Sequence, residues 1–239
     1  MMADAAVPKD NSIIIQEVMA NAERYNDWIY SHFAATVGNR ILDVGCSIGN
    51  LTQKYVDREC VVAFEVVPAS VEYIRDRFKD KSQFSVHQLG IEDPRVQTIA
   101  PHDMDTTICI NVLEHVEQHD IAVRHMHEMM ASGGWLNLFV PACPSIFGAM
   151  DRTDGHFRRY TKPTLRRVVE ANGFKIHKLY YFNWLGYFGW WFKGRVQKKK
   201  FVDTGSVAMM EKLVPMLRAL ESIAHPPLGQ SLVCIARKP

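Results

Sequence analysis

The stretch ILDVGCSIGN, Ile41 to Asn50, ends an apolar run with the carboxylate of Asp43 and then sets two glycines four positions apart. Twenty positions after Gly45, Glu65 closes a second apolar run, VVAFE. Asp43 puts charge at the mouth of a strand, and Gly45 and Gly49 remove Cβ atoms so that a ligand can lie against the backbone. Glu65 is spaced to accept both hydroxyls of a ribose. A second polar group lies in MDRTDGHFRRYT, Met150 to Thr161, where Asp154-Gly155 predicts a tight turn presenting His156. His156 reads as a base or orienting group and Tyr160 as a neighbour of the acceptor. Arg158 or Arg159 reads as a partner for an anionic substrate group. The competing reading of this loop is a set of Asp–Arg pairs with both arginines solvated.

Two ribose ligands compete for the first group. A dinucleotide needs G-x-G-x-x-G so that pyrophosphate can approach a helix N-terminus. Here those positions read Gly45, Ser47 and Asn50, and Asp43 would set a negative charge near the phosphate. S-adenosylmethionine carries no phosphate and brings an ammonium group that a carboxylate near the loop can help hold. The pattern therefore favours S-adenosylmethionine over NAD, with a ligand-free tight turn as the alternative to both.

The elements around these residues alternate. RILDV, VVAFE, FSVHQL, DTTICI and WLNLFVP read as strands, with KIHKLYYF and SLVCIAR as a sixth and seventh. Helices are predicted from Asn11 or Ser12 to about Phe33, from LTQKYV behind Gly49, and over ASVEYIRDRF after Pro68. Further helices are predicted from Asp120 to Met130, where SGG stops the helix, and over KPTLRRVVEANGF with Gly173 as its C-cap. The pattern predicts an α/β fold, a doubly wound, mostly parallel seven-stranded sheet with helices on both faces. An N-terminal helical cover is expected over 1–35, a core over 36–182 and 228–239, and an aromatic, helical insert over 183–227.

The segments ILDVGCSIGN, VVAFEVVP, ICINVLEHVE and MMASGGWLNLFVP resemble the class I, seven-stranded S-adenosylmethionine-dependent methyltransferase family over nearly the whole chain. The resemblance implies that Asp43, Gly45, Cys46 and Gly49 form the first cofactor motif and that Glu65, beside Val66, binds the ribose. It places Asn111 and Val112 near the methionine and methyl region, with His115 as a second base candidate. An acid is missing from the usual place after the third strand, so adenine contacts fall to Gly90, Ile91 or Glu92. The segments ERYNDWIY, DGHFRRYT, YFNWLGYFGWWFKGRV, LVPMLRALE and PPLGQSL resemble a bacterial subgroup that occurs alone or fused to glycosyltransferase domains.

Methyl transfer from a sulfonium is an in-line displacement, so placing the nucleophile about 3 Å from the methyl carbon is the main task. A hydroxyl acceptor also needs a base. No metal is expected: His115 and His119 could share a helical face, but no third ligand is evident. His125 and His127 are two apart on a helix and are expected at the surface. Tyr25 and Trp28 are expected on a helix that covers the donor site. The aromatic run that includes Trp184 and Tyr187 is expected to roof the acceptor pocket, ahead of peripheral membrane contact or a dimer contact.

A net charge of +2 gives no reason to expect nucleic acid as a partner. The loop after the fourth strand also lacks the Pro-Pro-aromatic pattern of base-amino methylases. The five cysteines are scattered without a CxxC pair, which predicts reduced thiols in a cytoplasmic protein. The N-terminal stretch shows no apolar signal-peptide core. The expected product is S-adenosylhomocysteine plus a methylated small-molecule acceptor, from a monomer or homodimer. The alternatives are an NAD-linked oxidoreductase and a non-catalytic, membrane-surface ligand-binding protein.

Overall fold

The computed structural model describes residues 22–197, 204–223 and 226–239. The seven expected strands form one sheet in the order β3-β2-β1-β4-β5-β7-β6. They are β1 (Arg40–Val44), β2 (Cys60–Glu65), β3 (Phe84–Gln88), β4 (Met104–Ile110), β5 (Met130–Pro141), β6 (Lys175–Phe182) and β7 (Ser231–Arg237). Strand β7 runs antiparallel to both neighbours, so the other six point the same way and their carboxyl ends share one edge.

Alternation along the central strands divides the core into two layers. Leu136, Leu138 and Val140 of β5 join Leu232 and Cys234 of β7 beneath helices α4 (His119–Glu128) and α6 (Lys162–Ala171). Phe139, Val233 and Ile235 face the other way, against Trp28, Ile29 and Phe33 of α1 (Glu23–Phe33) and Val214 and Leu217 of α8 (Thr204–Ile223). On the β2 side, Val71, Ile74 and Phe78 of the α2 region (Pro68–Arg77) pack on Ala63 and Val86. The remaining helices are short: α3 (Val96–Ile99), α5 (Ala149–Thr153) and α7 (Trp184–Trp191), which continues as a π-turn over Phe192–Val196.

Helix α8 positions two others through its carboxylates. Ala22 offers no capping side chain to α1, and Glu211 instead accepts from the Arg24 and Tyr25 amides at 3.0 and 2.8 Å. Glu221 accepts from the Asn183 and Trp184 amides, both at 3.0 Å, at the start of α7. A carboxylate there satisfies orphan amides and complements the helix dipole.

Three sequence expectations change. LTQKYV makes only a 3₁₀ turn, Thr52–Lys54, in which the Thr52 side chain is committed to Asp43. The helix before β5 ends at Glu128, and SGG belongs to β5, with Gly133 at φ +81°. His125 is buried and hydrogen-bonds the Ile91 carbonyl through Nδ1 at 2.9 Å, while His127 is half-buried against Phe174. The expected helix start at Asn11 or Ser12 lies outside the described residues.

Candidate active site at the carboxyl edge of the sheet

Among the described residues, four that are not glycine have left-handed backbone: Ser47 (φ 50°), Asn111 (53°), Cys143 (60°) and Asn183 (59°). They follow the ends of β1, β4, β5 and β6, on the one edge that the parallel strands share. A residue with a Cβ pays for this conformation, and such strain concentrates at functional sites. In open α/β sheets, ligands bind where the strand order reverses, here between β1 and β4.

On the β1–β2 side, Glu65 turns back over the β1 loop. Its carboxylate accepts from the amides of Ser47 (2.8 Å), Val66 (2.8 Å) and Val67 (2.9 Å). Three donors leave part of a carboxylate's four-site accepting capacity unused. The acid is therefore fixed in place, at the loop that the sequence assigned to the ligand.

The other residues of that motif do structural work. Asp43 is buried, accepts from Thr52 Oγ1 at 2.7 Å, and burial raises its pKa to about 6 against bonds from Thr52 and Tyr55. Its side chain lies beneath the loop, not toward an open cleft. Gly45 (φ +73°) gives way to Val112, which a Cβ would overlap, and a Cβ on Gly49 would meet Phe78 at 2.8 Å. The missing side chains thus make room for protein packing. Cys46 packs with Val71 and Ile74, and Ile91 is buried in the α4 layer. Val66 is 60% exposed, and Asn111 is exposed with its amide on the Phe139 carbonyl at 2.8 Å.

On the β4–β5 side, the Met150–Thr161 loop is sewn to the sheet by a bridge between Ala142 and Tyr160. Asp151, fully buried, is its hub. It accepts from Arg159 Nε (2.7 Å), His156 Nδ1 (3.1 Å), the Gly148 amide (2.8 Å) and Trp190 Nε1 (3.2 Å). His156 Nε2 meets Asp154 at 3.0 Å. Burial lowers the His156 pKa, but the two carboxylates outweigh it and carry it up to about 9. His156 is thus an imidazolium at neutral pH, which corrects its expected role as a base.

The sign of that shift makes a prediction. The folded value of about 9 lies above the ordinary 6.5, so the stabilisation from His156 is complete below pH 6.5. It is lost as pH rises through about 9. Thermal unfolding between pH 6.5 and 9.5 should show a falling midpoint that His156→Asn flattens.

Beside this cation sit Glu114 and His115. Glu114 is wholly buried, and among the described residues neither carboxylate oxygen has a hydrogen-bond partner. Burial raises its pKa to about 7, opposed by the charge of His156. The His115 ring meets His156 edge to face, with centroids 4.6 Å apart, while the residue keeps an exposed side. Burial and the His156 charge lower the His115 pKa, so it is neutral at pH 7. Ligand atoms of Glu114, His115 and His156 lie within 4.8 Å of one another, close enough to hold a cation. A cation there would compete with the carboxylates that already engage both His156 nitrogens.

The expected acceptor-binding residues are mostly occupied. Arg159 is buried on Asp151 and the Ala142 carbonyl, and stacks 4.9 Å from Trp190. Arg158 donates to the carbonyls of Val116 and Glu117, and Tyr160 is buried between the Leu113 carbonyl and His119 Nδ1. All three therefore hold the loop instead of an anionic or neutral acceptor. Trp184 packs into the α1–α8 layer, and Tyr187 meets Phe188 edge to face. Tyr25 packs on Phe182 beside Asn183, with its pKa pushed up to about 12 by burial.

Sequence reasoning passed over Glu114 and Trp190. Glu114 lies within the quoted NVLEHV, yet nothing local marks it as buried, and the Trp190–Asp151 bond joins elements 39 positions apart. A cleft of about 260 Å³ beside β3, lined in part by Arg75, His87, Leu89 and Arg95, contains none of these residues.

A family model described as a methyltransferase domain matches residues 20–179. The ubiquinone biosynthesis O-methyltransferase of Idiomarina loihiensis is 24% identical over 206 residues, 77% of this chain and 79% of that protein. A SAM-dependent methyltransferase from Archaeoglobus fulgidus aligns with a TM-score of 0.64 and 15% identity, over 96% of this chain and all of that one. The N-methyltransferase NodS of Bradyrhizobium japonicum, solved with S-adenosylhomocysteine, gives 0.59 and 16% over 96% and 100%. The edge of strained turns, the fixed Glu65 and the matched domain converge: the chain belongs to the methyltransferase domain family, with the class I, S-adenosylmethionine-dependent fold.

Proposed function

We propose that the protein transfers a methyl group from S-adenosylmethionine to an oxygen or nitrogen atom of a small molecule, a sugar or specialised metabolite. The observation that carries this reading is the Glu65 carboxylate, fixed by three amides at the carboxyl ends of β1 and β2. It also bears on the NAD alternative. The Ser47 amide that a pyrophosphate would use is already given to a carboxylate, whose charge would repel the phosphate.

Bound at this edge, the sulfonium supplies an activated methyl group with a neutral leaving group. Glu65 has accepting capacity left for a ribose hydroxyl, and Asn111 and Val112 border the β4 side. His115, neutral and partly exposed, takes the proton of a hydroxyl acceptor. His156, held cationic by Asp151 and Asp154, keeps His115 neutral and stabilises negative charge that develops on the acceptor. The five free cysteines support a reducing, cytoplasmic setting.

His115→Ala should leave S-adenosylhomocysteine affinity within about twofold while slowing hydroxyl methylation roughly 10²- to 10⁴-fold, the usual worth of a positioned base. Calorimetry and transfer of a labelled methyl group into an extract fraction test this. Equal loss of affinity and rate would remove His115 from the base role. Absence of donor binding at millimolar concentration would end the reading itself.

A further inference from the structure

Helix α7 has two unlike sides. Inward, Trp190 bonds Asp151, and Gly194 in the following turn lies against Gly148, so the helix rests on the candidate acceptor loop. Outward, Phe188, Trp191 and Phe192 are 48%, 44% and 47% exposed. These three fall on one face by their i, i+3, i+4 spacing. The Lys193 side chain hydrogen-bonds Ser206, which joins the end of α7 to the start of α8. Helix α8 exposes Met209, Met216 and Leu220, which recur along one stripe beside the buried face of Val214 and Leu217.

The charges of these helices are one-sided. Lys212 and Arg218 are exposed on α8. Its acids, Glu211 and Glu221, are turned inward onto the amides of α1 and α7, and α7 carries none. The intervening sequence adds further Lys and Arg by composition, with Asp203 as its single acid. The exposed side chains of α7 and α8, among the described residues, therefore include aromatic, aliphatic and cationic groups, and neither helix presents a free carboxylate.

We infer that the outer face of α7 and α8 docks on the surface of an anionic lipid bilayer. Trp and Phe seat at the headgroup boundary, and Lys and Arg meet anionic headgroups. Each cation near such a surface is worth about fivefold in partition. A second copy of the chain fits less well, because a symmetric contact would bring Lys212 and Arg218 toward their own kind, and interface cores are depleted in charge. No helix among the described residues is long and apolar enough to cross a membrane, so the contact is peripheral. The bilayer contact and the acceptor loop then share one helix.

Flotation of the full chain with vesicles of phosphatidylcholine containing about 30 mol% phosphatidylglycerol tests this. The chain should float with these vesicles, far less with pure phosphatidylcholine, and should be largely released at roughly 0.5 M salt. The triple variant Phe188→Ser, Trp191→Ser, Phe192→Ser should partition at least about tenfold more weakly, the loss of three buried rings. Lys212→Glu with Arg218→Glu should remove the preference for anionic vesicles and serves if the triple variant misfolds by circular dichroism. No flotation with anionic vesicles, unchanged flotation of both variants, or a dimer that buries this face without vesicle binding would each overturn the inference.

Discussion

Glu65→Ala should lower the affinity for S-adenosylhomocysteine by about 10- to 100-fold, as titration calorimetry would read it. The basis is the loss of the one charged hydrogen bond that Glu65 can still accept from ribose, at roughly 1.5–3 kcal/mol. The same carboxylate holds the Ser47, Val66 and Val67 amides, so its removal also loosens the β1 loop. Glu65→Gln separates the two effects. It keeps side-chain volume and one acceptor, but its amide nitrogen cannot accept from either Ser47 or the backbone after β2. A folded Gln variant with full affinity would mean that this carboxylate only braces the loop. A folded Gln variant with weak affinity assigns it to the ligand.

Asp151→Ala is the substitution expected to cost most in stability. It strands a buried guanidinium, an imidazolium, the Gly148 amide and the Trp190 indole N–H at once. Removing one partner of a buried ion pair costs about 3–5 kcal/mol. At this chain length that predicts a midpoint lower by roughly 10 °C in thermal unfolding. The pH dependence has the opposite sense to that of His156. Burial raises the Asp151 pKa, but its partners outweigh burial and hold it at about 2, below the ordinary 3.8. Its stabilisation is therefore complete above pH 3.8 and lost as pH falls through about 2. Asp151→Asn retains shape and some hydrogen bonds but not charge, so its loss should be intermediate. An alanine variant as stable as the native chain would show that Arg159 and His156 find other partners.

The sheet was legible because its strands are short apolar runs separated by turn residues and helical periods, and each of the seven appears where that pattern puts it. The place of Glu65 at the end of β2, beside the first loop, was legible from its spacing after Gly45. What the sequence did not carry was contacts distant in sequence. Gly45 and Gly49 were read as space for a ligand, and Val112 and Phe78, from other elements, also lie where their Cβ atoms would be. The polar run DGHFRRYT looked like a solvated or substrate-facing loop. One bridge from Tyr160 to Ala142 pulls it under the sheet edge, where Arg159 and Tyr160 must spend their hydrogen bonds on protein. His125 read as a surface residue until the Ile91 carbonyl, 34 positions away, gave it a buried partner.

The inner surface of the aromatic segment rests on the Met150–Thr161 loop through Trp190. Its outer surface was not separable in sequence, because WLGYFGWW is apolar all round and carries no polar face to read.

The most direct measurement is a crystal structure of the chain grown with S-adenosylhomocysteine. Density for the nucleoside should lie across the carboxyl ends of β1 and β4, with the ribose hydroxyls on Glu65 and the sulfur turned toward His115. A nucleoside seated elsewhere, such as in the cleft beside β3, or a ribose out of reach of Glu65, would contradict the account.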